Sequence, residues 1–174
     1  LLKLELDRVL EQLAERAGSE LGKIACRNLR PTSDLEDVQA LLDQTTAACD
    51  LSTKKGYPHF YEAQDVSFSL ERADMGGALN PKELLRIAGT LRCARTVKGY
   101  TAEDEPATVL DGMFMSLTAN KYLEDKIFGA ILSEEEIADN ASPALADIRR
   151  HMRIQAGKIR DGLQKIISSP AYSK

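Results

Sequence analysis

The chain has 174 residues, 43% hydrophobic and 29% charged, with a net charge of −4. That size suits one ordinary domain, or two very small ones, with a core that needs neither disulfides nor metals. No apolar run approaches the roughly 20 residues that cross a bilayer, and no global positive field recruits nucleic acid.

The charge is unevenly placed. Glu103 to Asp139 holds ten acids and two lysines, a balance of −8, whereas Pro143 to Ser168 holds six bases and two acids, a balance of +4. An anionic partner would meet the C-terminal segment first. Solvated helix faces account for the same pattern.

The opening residues carry Glu5 and Asp7 inside an apolar pattern, unlike a signal peptide, and no initiator Met is present. The sequence therefore reads as a piece of something longer. Leu6, Val9, Leu10, Leu13, Ala14 and Ala17 recur at helical steps and predict a first helix. Gly18 breaks it, and Ser19 caps a second that runs towards Leu29. Pro31 ends that segment. Ser33 and Glu36 have capping-box spacing and open a third helix, with Leu35, Val38, Leu41, Leu42, Thr45 and Cys49 on its inner face. These three helices are expected to form a compact bundle.

Lys54 to Phe60 reads as a loop, Ala63 to Ala73 as a short helix, and Gly76-Gly77 as a turn that needs positive φ. Asn80-Pro81-Lys82-Glu83 is the clearest helix start in the chain. Leu84, Leu85, Ile87, Ala88, Leu91, Ala94 and Val97 supply the apolar face of that helix. Arg92, Arg95 and Lys98 suit its negative pole, and Gly99 terminates it. After an acidic linker, Glu103 to Pro106, two shorter helices are expected near Thr108–Leu117 and Asn120–Phe128. Ile131-Leu132 and Ile137 around Ser133-Glu134-Glu135-Glu136 fit either a small β-hairpin, the preferred reading, or a loop docked on the bundle.

Ser142-Pro143 opens the last helix, of about 25 residues and nearly 40 Å. Leu145, Ile148, Met152, Ile159 and Ile166 form a heptad-like seam in which Gln155 and Gly162 are defects. Such a helix needs a partner along its length. Arg149, Arg153 and Arg160 lie near one stripe and are the candidate nucleic-acid contacts. The solvent side of a coiled-coil helix would look the same, and few aromatics are interleaved to stack bases.

The chemistry-bearing motifs fail on inspection. Gly18-Ser-Glu-Leu-Gly22-Lys23 is too short between its glycines for a phosphate loop, and Ile24 stands where a Ser or Thr is needed. The acidic runs lack the dry cleft that separates carboxylate pKa values. His59 and His151 have no nucleophile in reach of the sequence pattern. Cys26, Cys49 and Cys93 form no metal or redox spacing and are expected to be buried free thiols. No catalytic, cofactor-binding or metal-ligating residue is assigned.

Several blocks share order and spacing with one known family. They are Leu4-Glu5-Leu6-Asp7-Arg8-Val9-Leu10, Ser19-Glu20-Leu21-Gly22-Lys23 with Pro31, and Asp65-Val66 with Leu70-Glu71-Arg72-Ala73 and Gly76-Gly77-Ala78-Leu79. Glu83-Leu84-Leu85-Arg86-Ile87-Ala88, with Leu91-Arg92 and Ala94-Arg95, continues the series, and Asp139-Asn140-Ala141-Ser142-Pro143-Ala144-Leu145 with Ile148-Arg149-Arg150 completes it. Together they resemble the N-terminal region of the MutS-II family, bacterial paralogues of the mismatch-repair protein MutS.

The resemblance implies an all-α, multi-helix core over residues 1–141 and the start of a long lever helix over 142–174. It implies a parent that is a homodimeric, cytoplasmic ATPase using ATP and magnesium, with a clamp and usually a C-terminal Smr domain. That parent would bind branched DNA, cleave it, restrain homologous recombination and split collided ribosomes. The chain departs from the pattern in lacking Walker A, Walker B and Smr sequences, so ATP hydrolysis and DNA cleavage fall on no residue here. Its expected partners are the rest of its own chain, above all a returning lever helix beyond Lys174, and DNA or the ribosome through the parent, with no membrane. The alternative is a stand-alone helical protein–protein adaptor that uses the same seam.

Overall fold

The computed structural model describes residues 5–101 and 107–169. Eight helices occupy these residues: α1 (Leu6–Glu15), α2 (Glu20–Arg27), α3 (Leu35–Lys55), α4 (Ser67–Asp74), α5 (Pro81–Lys98), α6 (Asp111–Met115), α7 (Lys121–Ala130) and α8 (Pro143–Ile167). The fold is all-α, as the periodicity predicts. The acidic linker Glu103 to Pro106 lies outside the described residues.

α1 packs against α2. Ala14 is fully buried between them, and Arg27 donates to Glu11 through two bonds of 2.8 and 2.7 Å. The Ser19 hydroxyl caps α2 by accepting from the Gly22 N–H at 3.1 Å, and Lys23 pairs with Glu20. The glycine–lysine run is thus a helix start, with the Gly22 and Lys23 N–H groups and the Lys23 cation already engaged.

The expected three-helix bundle does not form. α3 packs broadly against neither α1 nor α2. Leu35, Leu41, Leu42 and Cys49 on its expected inner face are exposed, and only Leu51 is buried. Residues 29–34 around Pro31 form no helix and separate α3 from α2 along the chain. Its cap is Asp34, not Ser33, because one Asp34 carboxylate oxygen accepts from both Glu36 and Asp37 N–H and adds negative charge at the positive pole. The C-terminal turn of α3 is the part that docks. The Tyr100 hydroxyl reaches the Leu51 carbonyl at 3.1 Å and the Gly56 carbonyl at 2.5 Å.

The core lies where α5 meets α7. Ile87 and Ala88 of α5 pack with Ile127 and Ile131, flanked by Leu84, Leu91 and Phe128. The sequence sets this arrangement from the start of α5. Asn80 accepts from the Glu83 N–H and Glu83 accepts from the Asn80 N–H, a complete capping box, with Pro81 in the first turn. Glu83 also receives the Arg72 guanidinium of α4. Gly76 has a φ of +80°, and the Gly77 N–H reaches back to the Arg72 carbonyl at 2.8 Å, so α4 ends in a left-handed turn. α4 itself starts four residues later than predicted, because the Asp65 carboxylate takes the Ser67 N–H.

The basic residues at the end of α5 do more than complement its dipole. Arg92 pairs with Glu62 and covers the Phe128 ring at 4.5 Å, Arg95 pairs with Glu124, and Lys98 donates to the Leu117 carbonyl. Gly99 closes the helix with an ordinary negative φ, so its special freedom is unused there. Cys93 is buried beside the His59 carbonyl, and burial raises its thiol pKa.

α6 is a short turn of helix tied by the Asp111 carboxylate to Thr108, and α7 runs two residues past its expected end. The expected hairpin reduces to a single antiparallel bridge between Ile131 and Ile137. Three acidic residues in its turn leave too few strand-forming positions for a ladder. Ile131 and Ala138 are nonetheless buried, which roots this turn on α7.

Candidate association surface

α8 is capped as the sequence predicts: the Ser142 hydroxyl accepts from the Leu145 N–H, with Pro143 at the first helical position. At 1.5 Å per residue its 25 residues span about 38 Å. No residue of it is buried. Beyond Arg149 every residue of α8 is exposed apart from the two glycines, Gly157 and Gly162.

The seam residues fall on one stripe. Leu145 is half-buried at the base, while Ile148, Met152, Ile159 and Ile166 are each more than half exposed, between 54% and 65%. Leu163 joins them at 55% exposed. A strict heptad walk misses it because that walk lands on Gly162. The four-residue step from Ile159 and the three-residue step to Ile166 are the signal that finds it. Fully burying one such side chain stabilises by about 1.5–3 kcal/mol. A stripe of this kind along one helix is therefore a strong driver of association.

Arg149, Arg153 and Arg160 border the stripe on one side, but they are not equivalent. Arg149 and Arg153 both pair with Asp139, and Arg149 also donates to the Ile137 carbonyl. The Arg149 bond holds the Asp139 carboxyl below its ordinary pKa. Arg160 makes no ion pair among the described residues. The role of Asp139 is a long-range pairing that no sequence motif announced.

Grooves also lie elsewhere among the described residues. One, of about 390 Å³, runs between Glu62, Arg92 and Phe128 and is crossed by the Arg92–Glu62 and Lys82–Glu134 pairs. Another, of about 610 Å³, is apolar and lies between Leu51, Tyr57, Phe60, Tyr100 and Phe114. Among the described residues no group of three or more His, Cys, Asp and Glu side chains could hold a metal ion. His59 stacks edgewise with Tyr61, and His151 Nδ1 lies 2.9 Å from the Asp147 carbonyl of its own helix. No helix among the described residues is long and apolar enough to cross a membrane.

Among the described residues the chain is thus an all-helical module whose most developed surface is the exposed apolar stripe of its last helix. Over nearly its whole length it matches proteins of the MutS-II family. It is 43% identical over 174 residues to the protein named Endonuclease MutS2 of Ruminiclostridium cellulolyticum, 39% identical to that of Acetivibrio thermocellus, and 36% identical to that of Clostridioides difficile. Each match covers 98% of this chain and 22% of the relative, so the chain spans about a fifth of the length of the curated relatives it matches. No family model matches the chain.

Proposed function

We propose that this chain is a non-catalytic scaffold module of a MutS-II ATPase, with residues 1–141 as core and 142–174 as the start of a lever that passes motion between the ATPase and clamp. The observation that carries this reading is the apolar stripe of α8, exposed from Ile148 to Ile166. A solvated helix of this length gains nothing from such a stripe, whereas one half of a helix pair requires it. The relatives' name, endonuclease, supports a parent that acts on DNA. On this reading the parent is a cytoplasmic homodimer that uses ATP and magnesium, binds branched DNA, restrains recombination and splits collided ribosomes.

The test is made in the full-length parent. Replacing Ile148 and Ile159 with Glu should leave basal ATP hydrolysis intact and abolish its response to DNA. An unchanged DNA response would overturn the lever reading. The isolated chain should show no thermal shift with ATP and magnesium beyond the effect of ionic strength, and a specific shift would place a nucleotide site within it.

A further inference from the structure

We propose that Asp139 is a latch that fixes the direction of α8 relative to the α5–α7 core. Among the described residues the side chains of α8 are sheltered only at its base. Only Leu145, Ala146 and Arg149 in its first two turns are half-buried, and no other helix packs broadly against it among the described residues. Its axis therefore depends on the joint at Asn140-Ala141-Ser142 and on the bonds that span that joint.

Three bonds span it. Arg149 Nη1 donates to Asp139 Oδ1 at 2.5 Å and to the Ile137 carbonyl at 2.7 Å, and Arg153 Nη1 pairs with Asp139 Oδ2 at 2.9 Å. The two arginines stand one turn apart on the same face of α8, and each takes a different oxygen of one carboxylate. A single bond would leave α8 free to swivel about it. Bonds from two successive turns define a direction.

Asp139 can act as a fixed point because its neighbour is held. Ala138 is buried, and its N–H donates to the Ala130 carbonyl at the end of α7. The latch thus ties the base of α8 to the helix that forms half of the core. It is also releasable. Asp139 is about half exposed and Arg153 is 69% exposed, so dissolved ions compete for both. No apolar burial beyond the base compensates when the latch opens.

The experiment is pulsed electron spin resonance on the 174-residue chain carrying Ile148→Glu and Ile159→Glu, so that the stripe of α8 cannot pair two copies and only distances within one molecule are read. Exposed Cys49 and half-buried Cys26 are replaced by Ser, buried Cys93 is retained, and nitroxides are placed at K126C on α7 and Q164C on α8. The parent at low salt should give one narrow distance distribution. Asp139→Ala should broaden it at least two-fold with helical content unchanged, and Arg153→Gln should broaden it by less. Sodium chloride at about 1 M should broaden the parent and leave Asp139→Ala unaltered. Equal widths with and without Asp139, or at both salt concentrations, would overturn the proposal. If Asp139→Ala does not fold, Arg153→Gln decides alone, because its side chain is mostly solvated and an unchanged width then sinks the latch.

Discussion

Arg95 of α5 and Glu124 of α7 face each other through two hydrogen bonds, of 2.9 Å from Nε and 2.8 Å from Nη2, to a carboxylate on a residue only 4% exposed. The planar guanidinium matches both carboxylate oxygens at once, so the pair fixes the register of the two helices that make the core. Glu124→Ala removes the acceptor and leaves the partly exposed Arg95 without its partner. The melting midpoint should fall by roughly 5 °C. Arg95→Lys should fall less, since a point charge keeps the attraction and loses the fork. Circular dichroism melts of both variants check this, and a midpoint unchanged in Glu124→Ala would refute it.

Acid should weaken the fold for the same reason. The Arg95 hydrogen bond holds the Glu124 carboxyl below its ordinary range, the Arg27 hydrogen bond does so for Glu11, and the Asn80 backbone N–H does so for Glu83. A carboxyl whose native pKa is depressed binds fewer protons than in the unfolded chain. Its contribution is complete above the unfolded pKa, near 4.5 for Glu, and is lost as pH falls through the native value. The midpoint should hold from pH 7 to about pH 5 and drop towards pH 3. Glu124→Gln should show a shallower drop, and a midpoint that rises on acidification contradicts the account.

Elements with a local cause were legible in the sequence. Asn80, Pro81 and Glu83 act on one another within a single turn, as do Ser142 and Pro143, and the structure places both helix starts as the spacing predicts. α3 departs from its expected packing because periodicity shows that a face is apolar, not that a partner is present to cover it. Leu35, Leu41 and Leu42 satisfy the pattern and remain exposed. The ion pairs that join elements were invisible for another reason. Arg92 and Glu62, Arg95 and Glu124, and Arg149 and Asp139 are set by tertiary geometry, and sequence spacing alone gives no hint of which acid meets which base. The stripe on α8 is legible because it repeats, and the asymmetry among its arginines is not, because Asp139 lies outside the repeat.

The cap of α5 should be worth more than an ordinary one. Asn80→Ala removes the acceptor for the Glu83 N–H and should cost about 1 kcal/mol. Glu83→Ala should cost more, because the same carboxylate also receives Arg72 and so anchors α4. Urea unfolding of the two variants should rank them in that order. Equal losses would mean that the Arg72 contact adds nothing to the cap.

Adjacent glycines at the end of α4 should fail for different reasons. Gly76→Ala forces an L-residue into a φ of +80° and should cost about 1 kcal/mol. Gly77 has no such constraint, yet a Cβ there would lie 2.8 Å from the Arg72 carbonyl oxygen and 2.7 Å from its Cγ. That carbonyl cannot retreat without breaking its bond to the Gly77 N–H. Gly77→Ala should therefore destabilise by about 1–3 kcal/mol, and it should also weaken the Arg72–Glu83 contact. Replacing Gly76 with Asn, which tolerates left-handed backbone, should recover most of the loss at that position and the same change at Gly77 should not. Chemical denaturation of the four variants separates the two mechanisms.

The stripe on α8 should make the isolated chain associate with itself. Ile148, Met152, Ile159, Leu163 and Ile166 together leave an apolar stripe in water, interrupted at Gln155, and a second α8 is the nearest available cover in a solution of this chain alone. Sedimentation at rising concentration should show dimers. Ile148→Glu with Ile159→Glu should abolish them, because each places a carboxylate in the middle of the contact while leaving the buried α5–α7 core untouched. Arg160→Glu, on the flank of the stripe, should alter the salt dependence of association more than its strength. A parent chain that stays monomeric at high concentration would mean that its apolar stripe is covered within one molecule. A dimer that survives both glutamates would move the contact to another exposed face, of which Leu41 and Leu42 on α3 are the first to test.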